Sequence, residues 1–85
     1  MILIRLDSFK KDFEKLPSEI KRRTEKQLRL FIQNSKHNSL NIKKMKHPKV
    51  IWEGRVTASY RFTFQIEKNT YILRRVGTHD VLKNP

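Results

Sequence analysis

Two neighbouring segments in the C-terminal half of the chain alternate apolar and polar residues with a period of two. The first segment runs from Trp52 to Thr57 and the second from Tyr60 to Ile66. A period of two is typical of strands that have one covered face. The sequence therefore predicts a β-hairpin over these residues, then a turn at 67–70 and a last strand at 71–77.

The N-terminal half has a different pattern, which predicts one strand and two helices. Residues 2–6 are apolar and predict a buried strand. Phe9, Phe13 and Leu16 are spaced for one face of a helix at about 8–16, and a second amphipathic pattern extends from Pro17 to about Asn34. Residues 35–50 are polar, basic and irregular. We expect a single α+β domain over residues 1–85: an N-terminal strand, an α-helical hairpin, then three antiparallel strands that complete a four-stranded sheet, on which the two N-terminal helices pack.

The register of the hairpin decides where its arginines point. Apolar faces coincide only if facing partners have numbers of the same parity, and pairing Val56 with Phe62 leaves a permitted loop length. Arg55 and Arg61 then emerge together on the uncovered face, where they could clamp a phosphate. The alternative is that both are ordinary solvent-facing residues. Arg74 and Arg75 are expected on opposite faces.

The charge of the chain implies a polyanionic partner. Twenty Lys and Arg residues outnumber eight Asp and Glu residues, which gives a formal net charge of +12, and no acidic residue lies between Lys26 and Trp52. Such an uneven balance favours nucleic acid or an acidic protein as partner. The chain has no cysteine, and none of its apolar runs approaches the roughly 18 residues of a membrane span. We expect a cytoplasmic protein without a membrane partner.

The residue types exclude several kinds of enzyme. There is no glycine-rich phosphate loop, because Gly54 and Gly77 are the only glycines, and the carboxylates and histidines are scattered. We therefore expect no metal and no cofactor. Metal-free cleavage of RNA remains, since the 2′-hydroxyl is the nucleophile and the protein supplies only a base, an acid and cations. His79 follows the last strand and is the candidate acid or base; the alternative is an exposed or structural histidine.

Several strings, in this order and spacing, resemble the RelE/ParE toxin superfamily over nearly the whole chain. They are Lys36-His37-Asn38-Ser39-Leu40, Lys43-Lys44-Met45, Trp52-Glu53-Gly54-Arg55-Val56, Tyr60-Arg61-Phe62 and Arg75-Val76-Gly77-Thr78-His79-Asp80. The resemblance implies a RelE-like sheet, cleavage of mRNA in the ribosomal A site, and a cognate antitoxin that covers the basic surface. It also implies operator DNA as a partner of the toxin–antitoxin complex. The Gly-Thr-His string and His47-Pro48 most resemble the YafQ-like branch.

By this resemblance Arg61 would contact the scissile phosphate and His79 would act as acid or stabiliser. Arg55 completes the predicted catalytic set. The residues predicted to bind RNA are Lys43, Lys44, Lys46, His47 and Arg75. Two other functions stay open: inhibition of DNA gyrase, as in ParE-like members, and a non-catalytic basic module that only binds an antitoxin or nucleic acid.

Overall fold

The computed structural model describes residues 2–85, which form five strands and two α-helices. In chain order these are β1 (Ile2–Arg5), α1 (Asp7–Glu14), α2 (Ser18–Gln33), β2 (Lys43–Lys44), β3 (Trp52–Arg55), β4 (Tyr60–Glu67) and β5 (Thr70–Thr78). Two 3₁₀ turns, Asn38–Leu40 and His79–Leu82, follow α2 and β5. No helix formed by residues 2–85 is both long and apolar enough to cross a membrane.

The sheet has the strand order β1-β5-β4-β3-β2, with β1 parallel to β5 and the other neighbours antiparallel. The predicted α+β class is confirmed, but the predicted count of four strands is wrong. The fifth strand is β2, in which Lys43 pairs with Glu53 and Lys44 with Trp52. Two exposed lysines carry no alternation, so only their pairing with β3 defines them as a strand. β1 comes before the helices and forms one edge of the sheet, and because its two isoleucines are exposed there, the prediction of a buried strand is wrong.

The hydrophobic core lies between α2 and one face of the sheet. Phe31 of α2 stacks on Tyr71 with ring centroids 4.1 Å apart and meets Phe64 edge to face at 4.7 Å. Phe31, Phe62 and Phe64 are each at most 1 % exposed. Aromatic pairs of this kind contribute about 0.5–1.5 kcal/mol each beyond the area they bury. The even-numbered residues of β3 and β4 thus face the helices, and the odd-numbered residues point to the other side of the sheet.

The register of the β3–β4 hairpin differs by two residues from the predicted one. Phe62 faces Gly54 rather than Val56, and Arg55 faces Arg61 directly. The backbone N–H of Val56 donates to the carbonyl of Tyr60 at 3.0 Å, so residues 57–59 form the connection. A Cβ at position 54 would collide with the Phe62 ring. The space left by glycine therefore explains why Phe62 lies opposite this position, whereas parity alone could not choose between the two registers.

The sheet face opposite the helices is partly covered, contrary to the expectation of an open face. Residues 79–85 cross it: Val81 packs on Gly77, and the carbonyl oxygen of Pro85 accepts from Arg74 Nε at 2.9 Å. The expectation for Arg74 and Arg75 is also wrong, because both side chains reach carbonyls of this C-terminal segment. An irregularity in the β4–β5 register leaves Arg74 without a partner on β4, which interrupts the alternation that the expectation assumed.

Candidate functional site

Arg61 lies on β4 and is held by the hairpin connection that precedes it. Its Nη1 donates to the carbonyl oxygens of Thr57, Ala58 and Tyr60 at 2.5, 3.1 and 3.1 Å. The side chain is 17 % exposed. These bonds satisfy backbone carbonyls of a tight connection and fix the plane of the guanidinium, so Arg61 is both a structural and a preoriented cationic group.

Arg55 lies directly opposite Arg61 on β3 and is half-buried. Its Nε is buried and has no hydrogen-bond partner among residues 2–85. A buried donor that remains unsatisfied costs about 1–3 kcal/mol, and more when the group is charged. The cross-strand pair thus contains one arginine whose Nη1 is held by the backbone and one whose buried Nε has no partner among the described residues.

Glu53 is a member of this cluster to which sequence reasoning gave no role. It is only 8 % exposed, and its Oε1 lies 4.0 Å from Arg61 Nε and 3.9 Å from Lys43 Nζ. The signal was present in the sequence, since Glu53 shares its parity with Arg55 and therefore its sheet face. The carboxylate of Glu53 partly neutralises the arginine pair and holds Lys43 on the same side of the sheet.

The end of β2 and the basic loop after it carry three of the other predicted RNA-binding residues. Lys44, Lys46 and His47 are all exposed, and the loop is closed by a hydrogen bond from Met45 N to Ile51 O at 2.9 Å. The Nδ1 atom of His47 accepts from the backbone of Lys49 at 3.1 Å. None of these three side chains forms an ion pair within residues 2–85, so all three are accessible to a polyanion.

His79 stands at the end of β5 and is exposed. Two residues before it, Gly77 is the partner of Arg61 in the β4–β5 ladder. The strand therefore brings His79 to the end of the sheet where Arg61 lies, although no hydrogen bond connects the two side chains among the described residues. His79, Arg55 and Arg61 share one region of the sheet without forming a closed triad.

Arg75, also predicted to bind RNA, is ion-paired with a residue of α1. Its Nε lies 2.6 Å from Oδ2 of Asp12, and its Nη2 lies 3.3 Å from Oδ1. The hydrogen bond to Asp12 raises the pKa of Arg75, with burial acting in the opposite direction. Asp12 was missed by sequence reasoning, because nothing in the sequence of α1 indicates a contact with β5. Within residues 2–85, no three acidic or histidine side chains come together as a metal site.

No family model and no curated protein matches the chain by sequence, but solved structures match its fold. The YoeB/ParE toxin from Agrobacterium tumefaciens superposes with a TM-score of 0.78 at 16 % identity, covering 93 % of this chain and 99 % of that one. The fold is that of the RelE/ParE toxins. The predicted resemblance is thereby confirmed at the level of the fold.

Two neighbours with the RelE/ParE fold come from toxin–antitoxin complexes. One is in the E. coli DinJ–YafQ complex, with a TM-score of 0.78, 15 % identity and coverage of 94 % of this chain and 93 % of that chain. The other is in the archaeal RelE–RelB complex from Pyrococcus horikoshii, with a TM-score of 0.74, 11 % identity and coverage of 91 % and 92 %. The RelE/ParE fold is thus matched over nearly the full length of each chain.

Proposed function

We propose that this chain is the toxin of a type II toxin–antitoxin pair and that it cleaves mRNA on the ribosome without a metal ion. The observation that carries the proposal is the RelE/ParE fold with Arg55 and Arg61 as direct cross-strand partners on its sheet. Two cations on adjacent strands suit a phosphate whose negative charge grows during cleavage. The exposed lysines of the neighbouring loop suit the flanking backbone.

In the proposed reaction the 2′-hydroxyl of RNA attacks the adjacent phosphorus and the 5′-oxygen leaves. Arg61 would bind a non-bridging oxygen of the phosphate, and its fixed guanidinium plane means that little reorganisation is needed. Arg55, which lies directly opposite on β3, would donate from its guanidinium to the same group. His79 would transfer a proton, either from the 2′-hydroxyl or to the leaving oxygen.

The remaining basic residues would hold the mRNA or ribosomal RNA. Lys43, Lys44, Lys46 and His47 line one side of the arginine pair and would contact phosphates, which position RNA without reading its sequence. Arg75 would contribute through the part of its guanidinium that Asp12 leaves exposed. An antitoxin would neutralise the toxin by covering this basic surface, and the complex could bind operator DNA.

The test of the nuclease proposal is expression of the chain in a bacterial host, with primer-extension mapping of a translated reporter mRNA. We expect breaks at codon-phased positions, and about a 10²–10⁴-fold loss of cleavage in His79→Ala, the usual contribution of general acid–base catalysis. His79 is exposed, so this variant should fold normally. Lys83→Ala is the matched control, because Lys83 is exposed in the same segment and pairs only with Asp80. Full cleavage by folded His79→Ala would contradict the role of His79.

A second candidate function is a non-catalytic binding module, which is favoured by the engagement of Arg61 Nη1 with three backbone carbonyls. In that case Arg61 would serve the hairpin and not a substrate. Intact mRNA with normal growth would indicate this module. Intact mRNA with growth arrest and DNA damage would indicate a gyrase inhibitor. Either result would contradict the nuclease proposal.

A further inference from the structure

A groove of about 640 Å³ lies at the open edge of β3, beside the arginine pair. Its walls are α2, the 3₁₀ turn that follows α2, and the connection between β3 and β4. The side chains that matter for its chemistry are those of Arg23, Lys26, Gln27, His37 and Val56, and Arg55 contributes its backbone carbonyl. Because β2 pairs only with Trp52 and Glu53, this end of β3 has no neighbouring strand and the groove stays accessible.

Gln27 fixes the shape of the groove. Its side chain is buried, and Nε2 donates to the carbonyl of Arg55 at 3.0 Å and to that of Ser39 at 3.4 Å. One side chain thus connects α2 to the 3₁₀ turn and to the end of β3. The groove is preformed and does not have to be organised when a ligand binds.

The charge of the groove is positive and uncompensated. Arg23 and Lys26 are exposed and three residues apart on α2, so they are neighbours on one helix face. Neither they nor Arg55 forms an ion pair within residues 2–85, and no acidic residue lines the groove. Two neighbouring cations without counter-charges repel each other, and a bound anion would relieve that repulsion.

We propose that this groove binds backbone phosphates of single-stranded RNA, as a second contact that continues the path from the Arg55–Arg61 pair. That the ligand is RNA rests on the proposed function as an mRNA nuclease. RNA is favoured over an acidic peptide because the groove opens at the same edge of β3 that carries the Arg55–Arg61 pair on its other face, so one continuous strand that passes this edge reaches both. Leu30 and Val56 supply an apolar wall for a ribose or base, and His37 supplies a ring on which a base can stack.

The experiment measures binding of a fluorescent 2′-O-methyl oligoribonucleotide, which cannot be cleaved, to the purified full chain over a range of NaCl concentrations. Arg23→Gln/Lys26→Gln is compared with Lys10→Gln/Lys11→Gln, which removes the same charge from exposed positions of α1. Each phosphate contact contributes about −0.7 to the slope of log K against log salt for single strands. We therefore expect the groove variant to bind more weakly and its slope to fall by about 1.4, with a smaller change in the control.

Equal slopes in the two variants would overturn the proposal. The proposal would also be overturned if the groove variant bound RNA normally but no longer bound a poly-glutamate peptide, because the groove would then belong to an acidic protein. Circular dichroism establishes that both variants are folded. Because the oligonucleotide is not cleavable, the measurement is independent of catalysis. If the unmodified chain cleaves no mRNA but the groove variant has a reduced slope, the nuclease proposal is contradicted and the groove proposal is supported. If the chain cleaves mRNA but the slope of the groove variant is unchanged, only the nuclease proposal is supported.

Discussion

At the scale of single residues, Asp12 of α1 satisfies hydrogen-bond donors at the edge of β5. Pairing between β1 and β5 ends at Leu73, and beyond that point α1 takes over the edge of β5. The Asp12 carboxylate accepts from the backbone N–H of Val76 at 3.2 Å and from two nitrogens of Arg75. It therefore satisfies a strand N–H and positions an arginine at the same time.

Asp12→Ala should destabilise the domain by about 2 kcal/mol, because hydrogen bonds to charged groups contribute about 1.5–3 kcal/mol and the substitution leaves a strand N–H unpaired. Urea unfolding monitored by circular dichroism measures the change. Asp80→Ala is the control, since Asp80 forms an exposed pair with Lys83 and its loss should leave the midpoint unchanged. Equal midpoints for the two variants would show that the Asp12 contacts do not stabilise the fold.

Gly54 is a second position where one residue decides the packing. Gly54→Ala would place a methyl group against the Phe62 ring and 2.9 Å from Ile42 Cδ1. Overpacking in a dense core costs about 1–3 kcal/mol, and we expect a loss of that size in urea unfolding. Phe62→Leu in the Gly54→Ala background should recover part of the loss, because the clash and the ring are coupled. Strictly additive effects of the two substitutions would contradict this explanation.

At the scale of elements, Gln27 connects α2 to the β3 edge and to the 3₁₀ turn. Gln27→Leu keeps the volume but removes the donor shared by the carbonyls of Arg55 and Ser39. We expect a loss of about 1–3 kcal/mol, the cost of leaving buried polar groups unpaired. Gln33→Leu, at an exposed position of the same helix, is the matched control. A midpoint for Gln27→Leu as high as that of the control would show that the connection is dispensable.

Elements with strong periodicity could be predicted from the sequence, and those defined by tertiary contacts could not. Both helices and the β3, β4 and β5 strands follow the apolar spacing closely. The β2 strand could not be predicted, because its two lysines have no pattern and take strand form only beside β3. The path of residues 79–85 could not be predicted either, since it depends on the packing of Val81 over Gly77.

The same distinction applies to the candidate site. That Arg55 and Arg61 share a face follows from parity and was predicted correctly, although their direct pairing was not. The counter-charges Glu53 and Asp12 were missed, because an ion pair between distant segments leaves no local trace in the sequence. Whether Arg61, Arg55 and His79 carry out catalysis stays a prediction.

At the scale of the whole molecule, the charge of +12 acts over distances comparable to the protein itself. The principal extents are 32 × 27 × 22 Å. The Debye length is about 30 Å at 0.01 M salt and about 8 Å at 0.15 M. In low salt, almost every cation therefore repels the others across the molecule. The ion pairs between Arg75 and Asp12 and between Arg5 and Glu25, at 2.6 and 2.9 Å, are much shorter than either Debye length.

Raising NaCl from about 0.01 M to about 0.15 M should therefore increase the free energy of unfolding, because screening removes the long-range repulsion and leaves the short ion pairs largely intact. The midpoint of urea unfolding should move to higher urea concentration. Lys10→Gln/Lys11→Gln carries two fewer positive charges and should show a smaller shift. A fall in the midpoint with salt would mean that the ion pairs outweigh the repulsion. The excess positive charge would then not lower the free energy of unfolding. It would therefore not show that the chain gives up stability in order to bind a polyanion.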